Sequence, residues 1–338
     1  NPRPTRHRIM SCCVGIDREV TTFTVLDTDG QFVGELQWKY NVLGRISDET
    51  KKFAEEQEQS LMRFIEQHQP HALAVATTGL NALKLFKVVE DVVNELNMKR
   101  RIRCKGVFYV SDKFARIYEV SNMADREFQG STPIQKRSVF VARYFNDPLT
   151  ALANLFNNDH DITCYKFHEL QDILSQEHLL TALEQAFVTV VNAVGVDINR
   201  IVNAKHLQSV LRFVSGLGPR KADKLIKAIQ GRKKPYLMNR RQLVDSIEKN
   251  GVNVGKVVFF SCAGFIRIVL PPGIKPDRDF DALDNTRIHP ENYKLAIKIA
   301  MDALDMEDED DECIEKVMRN SKKLEDLDLV SYAEELEI

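Results

Sequence analysis

The sequence predicts an α/β domain built on a mixed sheet, followed by all-α domains. Two patterns lead there. Short apolar runs rich in β-branched residues recur through the first third of the chain, and in the later parts helical spacing of apolar residues dominates, as over 178–194 and 290–304. At 338 residues the chain is long enough for two or three domains rather than one.

In the first part, residues 11–16 and 23–26 read as strands, Asp27-Thr28-Asp29-Gly30 as a turn, and 31–38 as a third strand. The polar stretch 47–67 carries Phe53, Leu61, Phe64 and Ile65 on one side, and 72–76 reads as a buried strand. Helical spacing returns over 80–96. Residues 107–110 form another short strand, and helices follow over 113–120 and from Pro133 to about Tyr144. Three strands, then helix, strand, helix, strand, helix is the order of ribonuclease-H-like folds, which gather acids at strand ends to hold two metal ions.

An active nuclease on that fold needs several carboxylates there, because two metals require many oxygen ligands. Asp17 ends the first strand and Asp112 follows a late one, but strand 72–76 runs into Thr77-Thr78-Gly79, where no acid stands. An Asp at a strand end also serves as a plain turn former. The domain is therefore read as inactive, with Asp17 and Asp112 as vestigial candidates and no metal or cofactor.

The second part opens with 178–194, whose Leu179, Leu180, Leu183, Phe187, Val190, Val191 and Val194 at helical spacing read as a packed core helix. Residues 206–214 read as helix and stop at Ser215-Gly216-Leu217-Gly218-Pro219-Arg220-Lys221-Ala222, after which 223–229 restarts one. Gly216 and Gly218 let the backbone approach a ligand, Pro219 suits a first helical position, and the new helix's unpaired amides face outward. Arg220, Lys221 and Lys224 add cations, and Arg232, Lys233, Lys234, Arg240 and Arg241 extend the basic surface. The segment resembles a helix-hairpin-helix element, which grips phosphates without reading bases. The competing reading is an ordinary glycine turn beside a solvated basic face. A second, altered hairpin is read at Gly251-Val252-Asn253-Val254-Gly255-Lys256, where Gly255-Lys256-Val257 replaces Gly-Pro-Lys.

Pro271-Pro272-Gly273-Ile274-Lys275-Pro276 reads as a domain boundary. Beyond it, helical patterns cover 290–304, 313–318 and 329–336, His289 reads as a turn or cap residue, and 305–312 holds seven acids in eight positions. The expected domains are thus 9–158, 165–270 and 275–338.

Charge and cysteines narrow the function classes. Forty-seven Lys+Arg against 49 Asp+Glu conceal an asymmetry: residues 216–256 carry eleven basic and three acidic residues, and 305–338 four basic and fourteen acidic. That polarity concerns partners rather than fold. Apolar stretches rarely outlast a dozen positions, so no membrane-spanning helix is expected. Six cysteines without a C-x-x-C pair suggest neither a disulfide framework nor a zinc site, and a reducing compartment fits. The start, without Met or apolar run, reads as that of an excised internal piece.

Several motifs together resemble the central region of the suppressor-of-Ty-six family, with bacterial Tex proteins more distant. They are Pro133-Ile134-Gln135-Lys136-Arg137 through Ala142-Arg143-Tyr144-Phe145-Asn146-Asp147-Pro148-Leu149, Val194-Gly195-Val196-Asp197-Ile198-Asn199-Arg200, Gly216-Leu217-Gly218-Pro219-Arg220-Lys221, Ser261-Cys262-Ala263-Gly264-Phe265-Ile266 and Ile288-His289-Pro290-Glu291. The resemblance implies a YqgF domain of the RuvC-like ribonuclease-H class without nuclease activity, a helix-hairpin-helix domain and a death-like helical domain. It further implies a nuclear parent protein that travels with RNA polymerase II, acts in transcription elongation and serves as a histone chaperone. The family's acidic amino-terminal region, S1 domain and tandem SH2 domains have no counterpart here, so scaffold and nucleic-acid roles are expected of this piece.

The expected function is non-enzymatic binding of nucleic acid, duplex DNA foremost, through Gly216, Gly218, Arg220, Lys221 and Lys224, with Gly255 and Lys256 as half a second site. Its rivals are a structure-selective nuclease using Asp17 and Asp112 with magnesium or manganese, and a protein scaffold whose basic stretch meets an acidic neighbour.

Overall fold

The computed structural model describes residues 7–15, 20–38, 48–77, 79–244, 254–276, 280–306 and 312–325, with isolated positions beyond. The chain divides into two compact units, residues 1–184 and 185–338.

The first unit is organised by the two-residue period of its strands. β1 (Ile9–Cys13), β2 (Thr21–Leu26), β3 (Phe32–Trp38), β4 (Ala72–Ala76) and β5 (Val107–Val110) form one sheet in the order β3-β2-β1-β4-β5. β1 is antiparallel to β2 and parallel to β4, β2 is antiparallel to β3, and β4 is parallel to β5. The meander from β2 to β3 turns at Asp27, whose carboxylate accepts from the amides of Asp29 (2.9 Å) and Gln31 (2.8 Å), while Gly30 takes φ +80°. This is the mixed, ribonuclease-H-like order that the sequence predicts.

Every residue of β1, β2 and β4 is buried because both sheet faces are covered. Met10, Cys12, Phe23, Val25, Leu73 and Val75 share one core with Leu61 and Ile65 of α1 (Asp48–His68) and with Leu85 and Val89 of α2 (Gly79–Met98). On the alternate positions, Ser11 Oγ donates to the Ser138 carbonyl (2.7 Å) and lies 2.8 Å from Ser138 Oγ. Ser138 belongs to a helix that follows α3 (Lys113–Glu119) and α4 (Asn122–Glu127), namely α5 (Pro133–Asn146). Pro133 opens α5 as expected, and Gln135 closes a capping box on Thr132. Arg137 of α5 forks onto Glu119 (2.6 and 2.8 Å), and Arg143 onto Glu127 (3.0 and 2.6 Å), fastening α5 to α3 and α4. α6 (Pro148–Ala153) follows.

α7 (Gln176–Val194) runs across the boundary between the units. The expectation of a packed core helix is corrected: only Val191 and Asn192 of α7 are buried, and Val190 and Val194 stand about half exposed. Periodicity found the helix, but an apolar stripe states which side seeks burial without supplying what covers it.

The second unit contains β6 (Val196–Asp197), α8 (Ile198–Asn203), a 3₁₀ helix (Lys205–Phe213), α9 (Gly218–Gln230), α10 (Lys256–Cys262), β7 (Ile266–Arg267), α11 (Tyr293–Asp302) and α12 (Glu312–Arg319). The parallel β6–β7 pair is unanticipated, and the expected helix over 206–214 is 3₁₀. Leu283, Ala300, Cys313, Ile314 and Val317 build a small separate core. Residues 307–311 of the acidic run, and most of the helix expected over 329–336, lie outside the described residues.

The largest departure is Arg240, read in the sequence as part of a basic surface. It is 1% exposed. Its guanidinium donates to the carbonyls of Ile266 (2.8 Å), Ile288 (2.7 Å) and Thr286 and to the Tyr293 hydroxyl (2.6 Å), and its amide donates to Asp284 (2.8 Å). Tyr293 in turn donates to Asp284 (2.6 Å). Burial pushes the Asp284 carboxyl up, against the hydrogen bonds from Tyr293 and Arg240 that favour its charged form. Arginine fits because its planar donors point in fixed directions toward several acceptors at once. The network joins the segment after α9 to residues 282–293. Replacing Arg240 by Ala leaves the carbonyls of Ile266, Thr286 and Ile288 without their donor and removes the cation that compensates Asp284, and should cost about 3–5 kcal/mol in urea unfolding, whereas Arg241→Ala, at an exposed neighbour, should change stability by less than about 0.5 kcal/mol.

Candidate nucleic-acid interface

The turn between the 3₁₀ helix and α9 is shaped by alternating demands. Leu207, Val210, Leu211, Phe213 and Val214 are buried, and Leu217 is buried again, so the chain must return to the core within three residues of Val214. Only a tight bend does this, and Gly216 (φ +83°) and Gly218 (φ +67°) supply the left-handed backbone on either side of Leu217. Asn192 of α7 steadies the entry: its amide donates to the Phe213 carbonyl (3.3 Å) and its Oδ1 accepts from the Ser215 amide (3.1 Å).

The two glycines differ. A Cβ on Gly216 would stand 2.6 Å from Ser261 Cβ and 3.4 Å from the Val258 carbonyl, so the bend lies flush against α10; around Gly218 there is open space. Gly216 is needed for contact and for φ, and Gly218 for φ alone.

α9 begins at Gly218, five residues earlier than the helix read from sequence, with Pro219 in its first turn. Ala222, Leu225, Ile226 and Ile229 face the core, while Arg220, Lys221, Lys224 and Lys227 are exposed on the opposite side. The first amides of a helix lack intrahelical acceptors and carry its positive dipole end. Lys221 Nζ donates to the Gly216 carbonyl (3.0 Å), closing the bend while leaving further ammonium donors. Exposed cations and the positive end of α9 thus meet at one bend, an arrangement that can accept phosphate oxygens.

The wider basic surface is smaller than the sequence suggests. Lys233, Lys234 and Arg241 are exposed, but Arg240 is withdrawn as above. Arg232 is partly buried, bonded to the Tyr236 carbonyl (2.9 Å) and Gln242 (3.3 Å), and burial pulls its pKa down. Gly255 caps α10 with an ordinary φ of −58°, and Lys256 is exposed. Residues 251–253, the rest of the second hairpin reading, lie outside the described residues. Sequence reading missed Asn192, Val258 and Ser261, which hold the bend or bound it; the one available signal was Ser261 within a quoted family motif.

Of the two vestigial acids, Asp17 lies outside the described residues. Asp112, past the end of β5, is 4% exposed and accepts from Arg116 Nε at 2.9 Å. β4 leads into Thr77, and among the described residues no group of three or more His, Cys, Asp or Glu is placed to hold a metal ion. The described residues alone therefore do not make a two-metal site.

Comparison with known proteins matches three stretches of the chain to families. Residues 3–156 match the family described as Holliday-junction resolvase-like of SPT6, residues 160–269 a helix-hairpin-helix motif, and residues 281–338 an HHH domain. The chain belongs to the SPT6 family. It is 34% identical to the Suppressor of Ty 6 homolog of Caenorhabditis briggsae over 337 residues, covering 98% of this chain and 22% of that protein. It is also 32% identical to transcription elongation factor SPT6 of Saccharomyces cerevisiae over 323 residues, 90% of this chain and 21% of that protein. The chain thus spans about a fifth of the length of these SPT6 relatives. The bend at Gly216 falls in the matched helix-hairpin-helix segment, and the segment read from sequence as a death-like helical domain is the one matched as an HHH domain.

The turn geometry ranks three substitutions. Gly216→Ala should destabilise by about 2–4 kcal/mol, from strained φ and overlap with Ser261; Gly218→Ala by about 1–2 kcal/mol, from φ alone. Gly255→Ser should be neutral or stabilising by a few tenths of a kcal/mol as a better cap. Urea unfolding of the three variants checks the order.

Proposed function

We propose that this chain is the non-enzymatic, nucleic-acid-binding and scaffold core of a nuclear RNA polymerase II transcription elongation factor. It holds duplex DNA by its phosphates at the Gly216–Lys221 bend, with Arg220 and Lys224 beside it and Lys256 as a secondary contact. The observation that carries this reading is the bend itself: two positive-φ glycines, a proline in the first turn of α9 and exposed cations, within residues that match a helix-hairpin-helix motif. The names of the SPT6 relatives support the role in transcription elongation. Contacts with the polymerase elongation complex and with histones belong to the parent protein, whose histone-chaperone role this core serves as a scaffold. Division into domains at 9–158, 165–270 and 275–338 accords with the matched spans.

The ribonuclease-H-like domain serves this core as a frame, not as a catalyst. The ion pair of Asp112 with Arg116 supports that reading, since a carboxylate already engaged by a guanidinium is a poor site for a hard cation. Incubation of the chain with branched DNA and magnesium or manganese should give no cleavage. Cleavage lost in Asp17→Asn or Asp112→Asn would reverse the assignment.

A phosphate grip is sequence-independent and salt-dependent, because each neutralised phosphate releases condensed counterions. The double variant Lys221→Gln/Lys224→Gln should weaken binding to all duplexes alike and flatten the slope of log affinity against log salt by about 2. Fluorescence anisotropy with two duplexes of unrelated sequence measures both. Unaltered affinity would remove the bend from the mechanism.

A further inference from the structure

Beside the phosphate-gripping bend, α10 turns apolar side chains outward. Val257 is 80% exposed and Phe260 52% exposed, while Cys262 is buried. Val257 and Phe260 are three residues apart and so share a face, with exposed Lys256 and Ser261 next to them. A single exposed apolar residue is ordinary. Two further features set Phe260 apart.

The ring is held in place. His289 stacks against it, with centroids 6.0 Å apart and planes 26° apart, and Phe259 meets it edge-on at 6.0 Å. The His289 ring is itself fixed: Nδ1 accepts from the Glu291 amide (3.3 Å), which leaves Nε2 to donate to the Phe260 carbonyl (3.2 Å). The histidine read from sequence as a cap is indeed one, and it also braces an aromatic ring that remains half exposed. Such a ring is pre-organised, so a planar ligand meets it at little entropic cost.

The helix that carries the ring also adjoins the bend. Ser261, next to Phe260, is the residue against which Gly216 lies, and the Val258 carbonyl is the next atom in the way of a side chain at 216. Lys221 is near enough to α10 to oppose the upward push of burial on the Cys262 thiol, which stands at about 11. An apolar platform and a cationic bend thus border the same short helix. Single-stranded nucleic acid offers that combination, its anionic backbone alternating with flat bases that stack on aromatic faces. A closed duplex offers phosphates but keeps its bases stacked on one another.

We infer that an unpaired base of a bound strand stacks on Phe260 while its phosphates lie at the Gly216–Lys221 bend, so that this site favours nucleic acid with unpaired bases over fully paired duplex. The inference rests on the phosphate-grip reading above and adds to it the class of nucleic acid that binds best. Val257 flanks the base, and His289 is a positioning residue behind the ring.

The test uses the full chain and three oligonucleotides of equal length: a blunt duplex, the same duplex with a central three-nucleotide bulge, and the single strand, with 2-aminopurine at one unpaired position. The unpaired probes should bind about tenfold tighter than the blunt duplex. Phe260→Ala should abolish that preference and the quenching of 2-aminopurine while leaving blunt-duplex affinity and its salt slope unchanged. Phe260→Trp, which keeps a stacking ring, should retain the preference and guards against misfolding of the alanine variant. Equal affinity for all three probes, or a preference that survives Phe260→Ala, overturns the inference. If blunt-duplex binding still falls in Lys221→Gln/Lys224→Gln, the phosphate grip stands without the platform. If no probe binds the unaltered chain, both fail.

Discussion

The candidate site of the second unit depends on one steric constraint, the contact of Gly216 with α10. The bend sits flush on Ser261 and Val258, leaving no room for a side chain at 216, and Leu217 is buried between the two glycines. The direction in which the first amides of α9 point is therefore set by packing beneath the turn. Lys221, bonded to the carbonyl of Gly216, ties a cation to the same bend. An anion site made in this way is pre-organised: its donors are paid for by the fold, and a phosphate need order little on arrival.

The sheet was the most legible part of the molecule. Burial on both faces demands unbroken apolar or small residues in β1, β2 and β4, and such runs bounded by turn formers stand out in one dimension. Strands β4 and β5 have the bounds that the sequence predicts. Helix ends were less legible where a single residue decides them. α9 starts at Gly218 because proline in the first turn costs no hydrogen bond there, whereas periodicity alone begins only where apolar residues recur.

What stayed hidden is what depends on distant neighbours. Arg240 sits in a run of basic residues and looks like its companions, yet it is enclosed by acceptors lying 26 to 53 positions further along the chain. No local pattern distinguishes a caged arginine from a solvated one. Phe260 is the opposite case, an apolar residue in an apolar run that the fold leaves half exposed with a histidine behind it. At the candidate site, the residues that touch solvent at the bend were readable from glycine, proline and lysine chemistry; those that hold the bend in shape, Asn192 and Ser261, belong to other helices and were not.

The most direct test of the central claim is amide chemical-shift mapping of the chain by NMR during titration with a short DNA duplex. The largest salt-sensitive shifts should fall on the amides of Gly218, Arg220 and Lys221. Saturable binding with those amides unmoved, and shifts confined to other surfaces, would contradict it.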